Sequence, residues 1–185
     1  LLAGATTIVV LLVDSMIAYS LTRLEWPGRR LIFTVIVASF MVPGIINLVP
    51  VFMIVSELGL VNNLLGVILP SVANPLGVFM LYQFFRDIPE ELEEAARLDG
   101  FSRIRIFTHI TLPLMRSALA ALGLFIFIWT WNAFLWPLII LQDQSMYTLP
   151  IGLVTVQDTM GVTEPGIVMA SAVIASAPLL IVFLI

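Results

Sequence analysis

The chain has 185 residues, of which 61% are hydrophobic and 11% charged, with a formal net charge of −4. Soluble domains carry about 25% charged residues, so this balance excludes water as the main solvent. The chain has no cysteine, one histidine (His109) and no lysine, which excludes disulfides, thiolate or histidine-cluster metal sites and a P-loop that hydrolyses ATP.

Crossing the hydrocarbon of a bilayer as helix takes about 20 apolar residues. Five stretches have that character: 1–21, 31–55, 64–85, 117–141 and 166–185. None shows the roughly ten-residue alternation of a membrane barrel, and lipid offers the backbone no partners, so the spans should be helices. The expected fold class is all-α, a polytopic membrane helix bundle. The first residues, LLAGATTIVV, and the last, PLLIVFLI, both lie inside apolar runs. The chain reads as one transmembrane domain, 1–185, cut at both ends.

The connections differ in charge. All eight basic residues are arginines: Arg23, Arg29 and Arg30 lie in 22–30, and Arg86, Arg97, Arg103, Arg105 and Arg116 in 86–116. The connections 56–63 and 142–165 have none, and hold the acids Glu57, Asp143, Asp158 and Glu164. Cytoplasmic loops carry the excess of arginine, so 22–30 and 86–116 are expected on the cytoplasmic side. Prolines within spans, such as Pro43, Pro50, Pro70, Pro75, Pro137 and Pro178, fit either broken helices lining a pathway or kinks between packed helices. Likewise Asp14, Asn47, Asn74, Trp131 and Asn132 could line a path or tie helices together.

The long polar connection 86–116 has its own helical signals. Pro89 suits a helix start, Glu90, Glu91, Glu93 and Glu94 favour its positive end, and Gly100 can close it in a left-handed conformation. Glu93 and Arg97 are spaced for an i, i+4 pair, and Leu92, Ala95 and Ala96 form a shallow face. Ser102 can cap a second helix with an apolar stripe of Ile104, Phe107 and Ile110, ended by Pro113. The result is an elbow of two short helices, either docking a soluble partner or lying on the membrane interface.

Residue identity adds to this. Glu94-Ala95-Ala96, Asp99-Gly100, then Ile110, Leu112 and Pro113 resemble the EAA signature of permease subunits of binding-protein-dependent ABC importers. WPGRR at 26–30, MVPG at 41–44, ELGLVNN at 57–63, WNAFLWPL at 131–138, TLPIGL at 148–153 and MASAV at 169–173 are similar to the carbohydrate-type branch, that of the smaller maltose permease subunit. Ser117 departs from the proline frequent at that position.

The resemblance implies a MetI-like permease fold in the bacterial cytoplasmic (inner) membrane, with five of six expected spans. Its implied partners are a second related permease, two ATPase subunits that bind ATP and Mg, and an extracytoplasmic solute-binding protein. This chain would hold no cofactor and be no enzyme. Glu94, Ala95 and Gly100 would couple to the ATPase, supported by Ala96, Asp99, Leu112 and Pro113. Trp131, Asn132, Asn47 and Asn74 are the candidates for the translocation path. No metal site is expected, and no basic aromatic surface suggests nucleic acid. The solute would be a sugar or related small polar compound, its identity and the pairing of permeases left open. A secondary transporter driven by an ion gradient would want intramembrane carboxylates, and only Asp14 offers one.

Overall fold

The computed structural model describes residues 1–160 and 165–184. Glu164, the side chain of Asp158 and the terminal Ile185 lie outside the described residues. All regular structure among the described residues is helical. The first span is α1, Leu2–Arg23, with Arg23 in its last turn. One face of α1 carries the exposed Ile8, Leu12 and Met16, another the buried Val10, Asp14 and Ala18. Apolar residues on both faces suit a helix in lipid.

The second predicted span, 31–55, is interrupted. Gly28 at φ 92 leads into α2, Arg29–Ser39; a 3-10 turn, Gly44–Asn47, then leads into α3, Leu48–Glu57. Pro43 disfavours helix at the preceding Val42, which accounts for the break, whereas Pro50 sits in the first turn of α3, where its missing N–H costs nothing. The third span is interrupted likewise: α4, Leu64–Ile68, continues as a 3-10 turn Leu69–Ser71, and α5, Pro75–Asp87, starts anew.

In the polar connection lie α6, Glu90–Leu98, α7, Arg103–Ile106, a π-helical turn Phe107–Thr111, and α8, Leu112–Leu114. The fourth span is α9, Arg116–Trp131, followed after a break by α10, Leu135–Ile140. The ring of Pro137 opposes the carbonyl of Ala133, four residues back, so the helix cannot run through. The predicted connection 142–165 contains a 3-10 turn Gln144–Met146 and a helix, α11, Leu149–Met160, before α12, Pro165–Leu184. Among the described residues, α1 is the one unbroken helix long and apolar enough to cross a membrane, and three further candidates are interrupted pairs.

The chain divides into two compact units. One comprises Leu1–Thr6, Gly44–Pro70 and Ile126–Ile185. Its core is Val55, Val67, Ile140 and Leu141, with Phe52, Leu60 and Trp136 against it. Gly66 is required there: a Cβ would strike the Leu60 carbonyl and lie 3.1 Å from both Ile140 Cγ2 and Val55 Cγ1. Asn62, left-handed at φ 57, donates its N–H to the Ile140 carbonyl at 2.7 Å. Its Oδ1 accepts the N–H groups of Gln142 and Asp143, both at 3.0 Å. The two arginine-free connections are thereby joined.

The other unit is Thr7–Pro43 with Ser71–Phe125. Its core takes Val10 and Ala18 of α1, Val78, Leu81 and Phe85 of α5, and Ala118 and Leu122 of α9. On its flank α2 stacks on α5 through Phe33 and Tyr82, ring centroids 4.0 Å apart. A Cβ at Gly77 would collide with Asp14 Oδ2 and lie 3.1 Å from its Cγ, so α1 and α5 approach through that glycine.

Candidate functional site: the elbow at 86–116

The C-terminus of α6 closes as expected, and its hydrogen bonds show how. Gly100, at φ 82, donates to the Arg97 carbonyl at 3.0 Å, and Phe101 donates to the Ala96 carbonyl at 3.0 Å. These are the paired bonds of a Schellman motif, which needs a left-handed residue at Gly100. The Arg105 guanidinium then lies 4.2 Å over the Phe101 ring, and Ser102 Oγ accepts the N–H of Arg105 at 3.4 Å to cap α7. Two short helices thus turn on a defined joint rather than a loose loop.

Three local expectations change. Pro113 does not end the second helix: it lies in the first turn of α8, and the chain breaks at Met115, turning 78° into α9. The apolar stripe is not Ile104, Phe107 and Ile110. Ile104 is 77% exposed, and the buried positions are Ile106, Thr111 and Met115. The π turn inserts an extra residue between Ile106 and Thr111, and Thr111 Oγ1 donates to the Ile106 carbonyl at 3.3 Å across it. On α6, Leu92 and Ala95 face outward while Ala96 is buried. The outward face is therefore Leu92, Ala95, Leu98 and Asp99, with Leu98 90% exposed.

Glu93 is not a surface partner of Arg97, whose Nε reaches only the Glu93 backbone carbonyl at 3.4 Å. Its carboxylate is buried and anchors the elbow. Glu93 Oε1 lies 3.2 Å from Arg23 Nε, Tyr19 Oη donates to Oε2 at 3.1 Å, and Thr111 Oγ1 donates to Oε1 at 3.3 Å. Arg23 also pairs with Glu90 at 3.2 Å and donates to the carbonyls of Phe85 at 2.7 Å and Ile88 at 2.5 Å. One guanidinium therefore fastens the end of α1, the end of α5 and the start of α6. Tyr19 lies between the rings of Phe85 and Phe107, at 5.8 and 4.9 Å. The two arginine-bearing connections are joined by this cluster, as the two arginine-free ones are by Asn62.

Of the expected coupling residues, Glu94, Ala95, Asp99, Gly100 and Pro113 are exposed, Leu112 is half-buried and Ala96 buried. All lie on this one elbow. The path candidates are not gathered in one place. Asn74 Oδ1 caps α5, accepting the N–H groups of Leu76 at 3.0 Å and Gly77 at 3.3 Å. The Asn74 N–H is held by Asp14 Oδ1 at 3.0 Å. Asn47 is exposed at the start of α3 and makes no side-chain cap. Trp131 Nε1 donates to the Ala175 carbonyl at 3.1 Å, and its ring lines a cavity of about 390 Å³ with Thr130, Tyr147 and Thr148. Asn132 is exposed and donates through Nδ2 to the Ile128 carbonyl at 2.8 Å. Among the described residues no cluster of three or more His, Cys, Asp or Glu could hold a metal ion.

Residues 12–185 match the family described as the binding-protein-dependent transport system inner membrane component. The chain belongs to this family. The transport component is 38% identical over 174 residues to the arabinooligosaccharides transport system permease protein AraQ of Halalkalibacterium halodurans, covering 94% of this chain and 62% of that protein. It is 35% identical over 184 residues to the sn-glycerol-3-phosphate transport system permease protein UgpE of Yersinia pestis (99% and 66%). Against the diacetylchitobiose uptake system permease protein NgcG of Streptomyces coelicolor it is 37% identical over 179 residues (95% and 59%). The chain spans about three fifths of the length of such relatives. Its fold is similar to the crystal structure of a bacterial ABC transporter involved in the import of the acidic polysaccharide alginate: TM-score 0.80, 26% identity, 98% of this chain and 72% of that one. In this inner-membrane component the residues that sequence reasoning missed are Tyr19, Arg23, Glu93 and Thr111, which come from α1, α6 and the π turn.

Proposed function

We propose that this chain is the permease subunit of an ATP-driven ABC importer for a sugar or related small polar solute delivered by an extracytoplasmic binding protein. The elbow is the coupling element, on the cytoplasmic side with 22–30. Two ATPase subunits bind ATP and Mg and hydrolyse ATP, and a second related permease completes the pathway. The observation that carries this reading is the elbow's construction. It is stiffened by a Schellman joint, riveted to α1 and α5 by Arg23 and Glu93, and presents Leu92, Ala95 and Leu98 outward. A rigid lever with an exposed apolar tip suits transmission of movement between a soluble partner and membrane helices. The printed solutes of the relatives, arabinooligosaccharides, diacetylchitobiose and sn-glycerol-3-phosphate, support the solute class. Trp131 and Asn132 are the proposed path residues, with Asn47 and Asn74 as further candidates.

Two experiments test this. The full permease pair is reconstituted in liposomes with its candidate ATPase and binding protein; uptake without ATP or without the ATPase would sink the importer reading. Gly100→Pro, whose ring cannot adopt φ 82, is expected to abolish co-purification with the ATPase while the helices stay inserted. Gly100→Val should act in the same direction, because a left-handed conformation costs an L-residue about 1–2 kcal/mol, and Gly100→Asn should be milder. Full ATPase binding by Gly100→Pro would remove the elbow from the mechanism.

A further inference from the structure

A cavity of about 540 Å³ opens between the last turn of α1, the first turns of α2 and the end of α5. Arg29, Arg30 and Arg86 all line it. Arg23, on its wall, is already neutralised by Glu90 and Glu93. The other three are not. Arg29 uses one N–H on the Leu24 carbonyl at 2.9 Å, and among the described residues the guanidinium groups of Arg30 and Arg86 have neither an ion pair nor a hydrogen bond, Arg30 engaging only its backbone carbonyl, which accepts from Thr34 Oγ1 at 2.9 Å. Arg29 and Arg30 also occupy the first turn of a helix, the end where cations are disfavoured. That end has no side-chain cap, since position 28 is a left-handed glycine. An uncapped helix N-terminus bearing two arginines, with a third lining the same cavity, is complementary to an anion with several oxygens. The lining also has an apolar part, Leu21 with the stacked rings of Phe33 and Tyr82, beside Thr22, Thr34 and Glu90, the acid already paired with Arg23.

We propose that this cavity binds a phosphate group, supplied in the membrane by the headgroup of an anionic phospholipid. The guanidinium groups take the phosphate oxygens, and the Phe33–Tyr82 wall takes the start of the glycerol and acyl region. The cavity lies where spanning helices end, the depth of a headgroup, and its volume falls in the range of about 300–1,000 Å³ usual for ligand sites. The same oxygens are present on free phosphate, so the source is decided by experiment.

The full-length permease complex is purified in detergent and examined by native mass spectrometry with phosphatidylglycerol, phosphatidylcholine or inorganic phosphate added. The expected result is retained phosphatidylglycerol, with retention about 25-fold weaker in Arg30→Gln/Arg86→Gln, from about fivefold per arginine. Among the described residues neither guanidinium has an ion pair or hydrogen bond to the Arg23–Glu93 cluster, so thermal unfolding of the double variant in lipid-free detergent should match the wild type. Arginine-dependent retention of inorganic phosphate without phosphatidylglycerol would support the phosphate site and assign it a soluble source. Equal lipid retention by wild type and variant, with no effect of phosphate, would overturn the proposal. Should the variant misfold, photo-crosslinking phosphatidylglycerol to the wild type decides: labels within 21–34 and 82–90 support the site, and labels only elsewhere overturn it.

Discussion

Replacing Glu93 by glutamine tests the anchor of the elbow with almost no change of volume. The Arg23 side chain is 5% exposed and would keep only Glu90, itself 75% exposed, and the carbonyls of Phe85 and Ile88. Removing one member of a buried ion pair costs about 3–5 kcal/mol, and these remaining acceptors place Glu93→Gln near ~3 kcal/mol. Arg23→Met leaves the Glu93 carboxylate with the Tyr19 and Thr111 hydroxyls and strips two carbonyls of their donor, for about 4 kcal/mol. Since each single change strands a partner that the double change removes, Arg23→Met/Glu93→Gln should cost less than the sum by about 2 kcal/mol. Unfolding of the purified permease by detergent titration in mixed micelles, followed by tryptophan fluorescence, measures all four proteins. A Glu93→Gln stability within about 0.5 kcal/mol of the wild type, or strictly additive singles, would refute the anchor.

Three further outcomes are expected. Gly77→Ala should destabilise by about 1–3 kcal/mol, because its Cβ meets the fully buried Asp14 and lies 3.4 Å from Leu122 Cδ2, while Gly4→Ala, with nothing within 4 Å, should be neutral or stabilising; equal effects would refute the close approach. The exposed Asp143 accepts the Ser145 N–H at 2.9 Å, and the bonds from the Ser145 backbone and side chain hold its carboxyl below the usual range. The turn should therefore persist as pH falls past 3.8 and loosen only below it, as read from the Ser145 amide shift by NMR; a midpoint at or above 3.8, or the same titration in Asp143→Asn, would contradict this. Asn74→Ala should cost about 1 kcal/mol through loss of the α5 cap, and Asn74→Ser should keep both stability and uptake; a stable Asn74→Ser that no longer transports would assign the lost amide to the path instead.

Signals confined to a few neighbouring residues were legible in the sequence. The apolar runs place the spans, and Gly100 and Ser102 each do what their residue types suggest. What escaped depends on register or on distant pairs. The stripe of Ile104, Phe107 and Ile110 assumes a constant helical period, and the π turn, with Thr111 bonded five residues back to Ile106, breaks that period. Glu93 resembles any other acid of its helix until Arg23, seventy positions earlier in the chain, is brought to it. α11 was hidden because Thr155, Gln157 and Asp158 give its stretch the composition of a connection. Prolines were ambiguous because a kink and a break need the same residue; Pro43 and Pro137 break their spans, while Pro178 stays inside α12.

Those breaks also bear on why polar residues stand inside apolar spans. A helix interrupted within lipid exposes backbone groups that only protein or water can satisfy. At the break before α5, Asn74 Oδ1 accepts two of those N–H groups and Asp14 Oδ1 accepts a third. Asp14 is thereby tied through Oδ1 to the backbone of a neighbouring helix, while its Oδ2 is buried with no hydrogen-bond partner among the described residues. At the break after α9 the balance differs. Asn132 Nδ2 returns to the Ile128 carbonyl, its Oδ1 has no partner among the described residues, and its residue is exposed. The adjacent Trp131 lines a cavity. A free amide oxygen next to an aromatic ring is a group that a hydroxyl-rich solute can meet, whereas the Asn74 oxygen is already engaged. On that ground the Trp131–Asn132 break is the stronger place to look for solute contact.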